Sequence, residues 1–555
     1  MSDDALDSVY RYHDGTKHHV HRFARSLGYL DWASQPRPFR AFAETPTVPL
    51  YPSPDAVADD YAPTAVTFAE LGPRLATAAP LCAALVGDVL RHALGLSAWK
   101  QADTARWPLR VNPSSGNLHP TEAYVVCGPL PSVAGTPGVY HYAPDRHLLE
   151  QRCAFNDEAW RDAVGEQPDV LFVVLTSIHW REAWKYGERA FRYCQHDLGH
   201  AVAAVSFAAA LVGWRATMLP AFSHRAIAAL AGLDRDEDFV DAEREEPGCV
   251  IALSGRDSLP VSEKMAQALV LAVTGGRWSG QASQLSEDHV TWSFIDEVAT
   301  ATEQPTRTDI LASPPAPPRH PDAARGAAVD ARALVLQRRS AVAFDGSGTL
   351  DRATFLGMLA RLLPAAAPPW DSAWWTPRVH LVLFVHRVDE VAPGVYVLVR
   401  DPRVLDQLRA ACRQELVWEQ ADELLPLWRL SRQDARAMAA RVSCNQDIAA
   451  DSYFSLGMLA EFDESLQTYG PSFYRQLFWE TGMVGQALYL EAEAAGARAT
   501  GIGCFFDDDV HELLGFTSHA FQSLYHFTVG QPVDDRRLTT EPGYAWERHD
   551  PSFRL

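Results

Sequence analysis

Apolar residues along this chain fall into short unbroken runs separated by longer helical patterns. Ala123–Cys127, Val170–Thr176 and Val250–Ser254 are short, apolar and partly β-branched, and predict strands. Phe191–Leu211 and Phe473–Ala495 carry apolar residues at helical spacing and end at Gly213 and Gly496, which predicts two long helices. Leu350–Leu363 predicts a further helix. Strands interleaved with long helices, twice over, predict an α+β fold built in duplicate.

The duplication is visible in the text itself. Pro137-Gly-Val-Tyr140 recurs as Pro393-Gly-Val-Tyr396, and Gly213-Trp-Arg-Ala-Thr217 as Gly496-Ala-Arg-Ala-Thr500. The second register continues backwards without a gap. Gly199 falls on Gly482, Asp197 on Glu480, Arg192 on Arg475, and Tyr186-Gly187 on Tyr469-Gly470. The two registers differ by about 27 residues, so the second half carries an insertion. Leu416–Met438, rich in Leu, Trp, Glu and Arg, is the expected site of it, as a helical excursion. Residues 302–330 include a dense proline tract that reads as linker. The expected organisation is a first domain over 1–285, a linker over 286–330 and a second domain over 331–555.

Composition narrows the class. With 555 residues the chain exceeds one ordinary core. A net charge of −21 argues against nucleic acid and anionic membrane as partners, which need basic patches. The acidic N-terminus lacks the apolar run of a signal peptide, and no run is long enough to span a bilayer. The eight cysteines form no CxxC pair and read as thiols of a reducing compartment. A cytoplasmic enzyme is the expectation.

The densest chemistry is Arg110-Val-Asn-Pro-Ser-Ser-Gly-Asn-Leu-His-Pro120. It places hydroxyls, an amide and a glycine on a turn between two prolines, just before a strand. Such a turn offers short donors and an approachable main chain to a flat polar ring. Pro113, Ser114, Ser115 and Asn117 resemble the Pro-Ser-Ser-x-Asn segment of the nitroreductase family. The flanking text is similar to SagB-type dehydrogenases, flavin enzymes that oxidise azolines in peptide natural products. The resemblance implies FMN, bound between two copies of the fold, with this segment and Arg110 on one side of the cofactor.

The second half supplies the other side. Gln337-Arg-Arg-Ser-Ala-Val-Ala-Phe344 resembles the family's entry segment, whose arginine and serine grip the FMN phosphate. The resemblance gives that role to Arg338, Arg339 and Ser340, although Val342 and Ala343 stand where relatives often have a third basic residue. Guanidinium pairs bidentately with phosphate, so the chemistry suits the residues. Gly501, Ile502 and Gly503 match the glycine turn whose N–H reaches the reactive flavin nitrogen. Arg536 and Arg537 stand where the family places a second phosphate-binding base.

Neither half is complete. The first has Pro-Ser-Ser-Gly-Asn but no Arg-Arg-Ser, and it carries Met218-Leu-Pro220 where the second has Gly501-Ile-Gly503. The second has the clamp but carries Pro-Pro-Trp370 and Trp374-Trp-Thr-Pro377 before its strand. The pieces add up to one FMN site in a fused pseudo-dimer. Lys185-Tyr186 matches a pair implicated in substrate deprotonation in SagB-type enzymes, and the second half has Thr468-Tyr469 there. Arg189 and Arg192 are expected to pair with Glu182, Glu188 or Asp197. His196-Asp-Leu-Gly-His200 looks like a metalloprotease helix but lacks its glutamate, so core or capping histidines are expected and no metal. Tyr12–His19 also resembles the start of SagB-type domains and is a candidate for substrate contact.

The expected activity is hydride transfer from a substrate C–H to FMN, on a small-molecule or peptide substrate, beside other biosynthetic enzymes. Two rival readings stay open: an NAD(P)H-dependent nitro- or quinone reductase, and a flavin-free partner in a biosynthetic complex.

Overall fold

A computed structural model describes residues 3–56, 61–71, 78–130, 135–165, 169–255, 262–308 and 328–549. The proline tract of the expected linker lies outside these residues. The first half contributes a hairpin of β1 (Leu96–Ala102) and β2 (Ala105–Arg110). There follow β3 (Thr121–Cys127), β4 (Gly138–Ala143), β5 (Leu148–Ala154), β6 (Val170–Ser177), β7 (Arg215–Met218) and β8 (Glu246–Ser254). The second half contributes β9 (Val379–Val385), β10 (Gly394–Leu398), β11 (Leu427–Ser431), β12 (Phe454–Glu461), β13 (Arg498–Ile502), β14 (Phe521–Gly530) and β15 (Thr539–Pro542). The helices that matter are α1 (Asp3–Gly15), α2 (His179–Tyr186), α3 (Ala190–Leu211), α4 (Ser293–Ala301), α5 (Leu405–Ala411), α6 (Arg436–Val442), α7 (Asp447–Asp451) and α8 (Phe473–Ala494).

The two main sheets share one strand order. The first runs β5-β4-β3-β6-β8-β7 and the second β11-β10-β9-β12-β14-β13, with every pair antiparallel. Every residue of β3, β6, β9 and β12 is buried. Both sheet faces are covered, which is why these strands read as continuous apolar runs with no alternation. One hydrophobic cluster joins the inner faces of both sheets through α3 and α8, and each outer face has a smaller cluster of its own.

The long helices α3 and α8 are buried along nearly their whole length and cross at two glycines. A Cβ on Gly199 would lie 2.2 Å from the Trp479 carbonyl oxygen, and one on Gly482 would lie 2.2 Å from that of His196. The contact is backbone on backbone, so neither residue tolerates a side chain. The matched glycines of the repeat are therefore the point where the two halves meet.

A second pair of repeats serves the helix ends. Arg192 Nε donates to Thr16 Oγ1 at 3.0 Å beyond α1, and Arg475 Nε donates to Thr302 Oγ1 at 2.9 Å beyond α4. Helix α4 thus plays for the second half the part α1 plays for the first, and it lies inside the stretch expected as linker, 286–330. The described part of that stretch is folded.

The expected excursion at Leu416–Met438 is also corrected. Its centre is β11, which pairs with β10 as β5 pairs with β4. Its leucines and charged residues have helical propensity, but pairing to a buried neighbour decides the conformation. The extra length falls instead between β10 and β11, residues 399–426, which carries α5. The chain end crosses back as well. Strand β15 pairs with β1, forming a three-stranded sheet β15-β1-β2 shared by both halves.

Candidate active site

A cavity of about 770 Å³ opens between the halves. Its walls hold Arg110, Pro113, Ser114, Ser115 and Asn117 from the first half. From the second they hold Arg338, Arg339, Ser340, Gly501, Ile502, Gly503 and Arg536. Segments more than two hundred residues apart thus meet around one space. Arg537 does not join them: it is exposed and pairs with Asp535 at 2.7 Å. Tyr186 lines the cavity, whereas Lys185 sits just behind the wall.

The turn before β3 is held by its own polar groups. Ser115 donates its N–H to Asp197 Oδ1 at 3.0 Å and its hydroxyl to the same oxygen at 3.0 Å. Asn117 Nδ2 donates to the Pro108 carbonyl at 2.9 Å, and its Oδ1 contacts His119 Nε2 at 2.9 Å. The side chains expected to face a ring are therefore spent on shaping the turn. Gly116 has φ +59°, and a Cβ there would lie 2.6 Å from the Tyr186 hydroxyl and 3.1 Å from Lys185 Nζ. The glycine brings α2 against the turn, so the Lys-Tyr pair and the Pro-Ser-Ser-Gly-Asn segment form one wall.

Behind the turn lies a pair of buried carboxyls that sequence reading did not single out as functional. Burial pushes Asp197 up to about 7 against the lowering effect of its Ser114 and Ser115 hydrogen bonds. Burial, then neighbouring Asp197, raises Glu182 well above the carboxylate range. Both effects favour the protonated form of Glu182. Burial first, then Glu182, also raises the Tyr186 hydroxyl well above its ordinary value, so it stays protonated.

The opposite end is cationic. Arg338 is 4% exposed, and its Nη2 donates to the Arg110 carbonyl at 3.3 Å. Its Nε and Nη1 have no hydrogen-bond partner among the described residues. Burial, then Arg338, pushes Arg339 down to about 9. Lys100 and Arg498 line the same end. The buried Arg338 guanidinium with its unsatisfied N–H groups, and the half-buried Arg339 beside it, fit a dianionic phosphate, which would supply both charge and acceptors. The residues present therefore suit the phosphate of FMN. Ser340 Oγ and Tyr489 Oη lie 2.8 Å apart, and Gly501 N–H donates to Tyr489 Oη at 3.1 Å. Tyr489, Tyr193, Tyr525 and Lys100 are cavity residues that carried no motif, and His200 joins them although it was expected to be a core or capping histidine. All but Lys100 lie in a long helix or a central strand, where an aromatic reads as core.

Other expected contacts are reassigned. Arg189 and Arg192 pair with neither Glu182, Glu188 nor Asp197. Both bind Asp507 of the second half, at 3.0 and 2.7 Å. Their charge holds the Asp507 carboxyl well below its usual range despite burial. The sequence offsets cannot show a partner across the repeat. Tyr12–His19 packs on both halves and does not line the cavity, with Tyr12 Oη donating to the Glu188 carbonyl at 2.5 Å. His13 Nε2 contacts Gln522 Oε1 at 3.0 Å, and Lys17 pairs with Asp508 at 3.0 Å. His196 Nδ1 contacts Thr481 Oγ1 at 2.9 Å, and its ring stacks on Tyr525.

The position related to the cavity by the repeat is packed. Trp375 Nε1 donates to Glu480 at 3.1 Å, and Glu480 also accepts from the Arg378 and Val379 N–H groups. Trp374 and Trp375 are buried against Phe473. Glu480 thus does for this segment what Asp197 does for the turn, but indoles fill the space.

A duplicated α+β fold with a cationic cleft between its repeats defines a fused two-unit protein with an interface site. The chain belongs to the nitroreductase family, whose model matches residues 61–244 and 390–531, more than half of its length. Membership places it among oxidoreductases. A solved structure from Anabaena variabilis, described as a nitroreductase, is 19% identical, covering 95% of this chain and 99% of its own, with a TM-score of 0.66. One from Ralstonia eutropha is 15% identical over 41% of this chain and 90% of its own, with a TM-score of 0.26. The E. coli microcin synthetase McbBCD complex with truncated pro-MccB17 bound is 15% identical over 46% and 95%, also with a TM-score of 0.26. No curated protein matches. No helix among the described residues is long and apolar enough to cross a membrane.

Proposed function

We propose that this chain is an FMN-dependent dehydrogenase with a single active site between its halves. Its proposed substrates are azoline rings in peptides or small molecules, of the kind SagB-type enzymes oxidise. The reading rests above all on the cavity, which takes Arg338–Ser340 and Gly501–Gly503 from one half and Pro113–Asn117 from the other. When bound, FMN supplies the acceptor for the substrate's electron pair. Arg338 and Arg339 would hold its phosphate, and the turn at Pro113–Asn117 would pack on its ring.

The remaining chemistry is proton transfer. An azoline loses a C–H proton as its electron pair departs, so a base must stand at the substrate. Lys185, just behind the cavity wall beside Gly116, takes that role. Tyr186 stays protonated and so acts as a donor or relay, not as the base. Asp197 and Glu182 hold the wall in place from behind. The reciprocal position, filled by Trp374 and Trp375, binds no second flavin. The free cysteines favour a reducing compartment such as the cytoplasm, with other biosynthetic enzymes as partners.

The test is turnover of an azoline-containing peptide, read by mass as the loss of two hydrogens. Lys185→Ala should abolish that oxidation and leave NAD(P)H-driven diaphorase activity in place. NAD(P)H-driven reduction as the main activity, with azoline oxidation absent from the parent protein, would favour the reductase reading instead.

A further inference from the structure

Six of the eight cysteines are buried, but Cys444 and Cys504 are half-buried. They lie sixty residues apart in sequence, yet their Sγ atoms are in contact at 2.7 Å. Cys504 follows Gly501-Ile-Gly503 directly and lines the cavity. Cys444 stands behind it, in the turn between α6 and α7. That turn has an uncommon backbone. Cys444 has φ 55° and Asn445 φ 57°, two successive non-glycine residues in the left-handed region. Gln446 Nε2 spans the same joint, donating to the Ser443 carbonyl at 2.8 Å and the Cys504 carbonyl at 3.1 Å.

The surroundings suit thiol chemistry. Arg189 Nη2 donates to the Gly503 carbonyl at 3.3 Å, and its guanidinium lies over the Phe505 ring. Contact with Cys444, and then the Arg189 charge, lowers Cys504 against the opposing effect of burial. The same contact, followed by burial, raises Cys444. Cys504, which lines the cavity, is thus placed as the nucleophile, with Cys444 behind it as its neighbour. A disulfide needs its sulfurs about 2.0 Å apart, a shift smaller than a bond length from the present contact.

We propose that Cys444 and Cys504 form a reversible dithiol–disulfide pair in the cavity wall, oxidised by low-molecular-weight disulfides. The Cys504 thiolate attacks one sulfur of the external disulfide, whose S–S bond breaks and releases one thiol. Cys444 then loses its proton to solvent and attacks the Cys504 sulfur of the mixed disulfide, expelling the second thiol. The protein dithiol loses two electrons and two protons, and the external disulfide gains both. The new bond ties the Ser443–Gln446 turn to the end of β13, so oxidation fixes the wall next to Gly501–Gly503.

The full chain, with whatever flavin it retains, is equilibrated in buffers of graded reduced-to-oxidised glutathione ratio. Free thiols are then alkylated and peptides mapped by mass. The expected result is a peptide joining Cys444 to Cys504 that appears as the buffer becomes oxidising and disappears on return to reduced glutathione. Cys444→Ser should instead trap Cys504 as a stable glutathione adduct, and Cys412→Ser should leave the cross-link intact. Alkylation of both thiols at every ratio would overturn the proposal. So would a cross-link formed by air that no glutathione ratio reverses, or a Cys444→Ser protein whose Cys504 gains no more glutathione than Cys412.

Discussion

Arg338, from the second half, donates from Nη2 to the backbone carbonyl of Arg110, from the first, at 3.3 Å. Its other two nitrogens have no partner among the described residues, although the side chain is almost wholly buried. A buried guanidinium left with free N–H groups is costly unless something supplies acceptors and charge. That single side chain both joins the halves and marks the anion end of the cavity.

Arg338→Ala should therefore weaken FMN binding. A hydrogen bond to a charged group contributes roughly 1.5–3 kcal/mol, so the loss should be about ten- to a hundredfold in Kd. Fluorescence titration of flavin-stripped protein measures it. Arg537→Ala, at an exposed residue outside the cavity, should leave the affinity within twofold.

Asp197 predicts a pH dependence of stability. Its carboxyl titrates near 7 in the fold and near 3.8 in a free chain. Between those values the folded protein holds a proton that the unfolded chain has released. This contribution to stability is complete below about pH 4 and is lost as pH rises through 7. Asp197→Asn should flatten that part of the Tm profile, while retaining an acceptor for Ser115. Parallel profiles for the two proteins would contradict the assignment.

Gly199→Ala should loosen the contact between the halves. The new methyl meets main-chain atoms of Trp479, which cannot move aside as a side chain can. Overpacking of this kind costs roughly 1–3 kcal/mol. Urea denaturation should show the loss, and flavin should be released at lower urea than from the parent protein.

Trp374→Ala and Trp375→Ala test the reciprocal position. Each should lower stability by about 3–5 kcal/mol, as truncation of a buried indole does. Neither should create a second flavin site, because Met218-Leu-Pro220 offers no glycine turn and the first half has no Arg-Arg-Ser.

Much of this was legible in the sequence. The long helices α3 and α8 begin and end within a residue of their expected bounds, because their apolar spacing and terminal glycines are local signals. The repeat aligned Gly199 with Gly482, and the structure brings the two into contact. The motifs around Ser114, Arg338 and Gly501 carry their own chemistry, and the cavity gathers them. What the sequence could not convey are relationships across space. Asp507 as the partner of Arg189 and Arg192, the crossing of β15 to β1, and the pairing of β11 with β10 all depend on how distant segments pack. Cys444 and Cys504 belong to the same group, since no local spacing joins them. The hydroxyl of Ser115 and the amide of Asn117 show the limit from the other side. Both residues line the cavity, but the turn uses those groups for itself.

The central claim is one complete flavin site made from two incomplete halves, and flavin stoichiometry tests it most directly. FMN released from the denatured protein, measured against chain concentration, should approach one per chain, and it should be lost when Arg338 and Arg339 are both replaced by alanine. A value near two, or full retention of flavin in the double variant, would contradict the account.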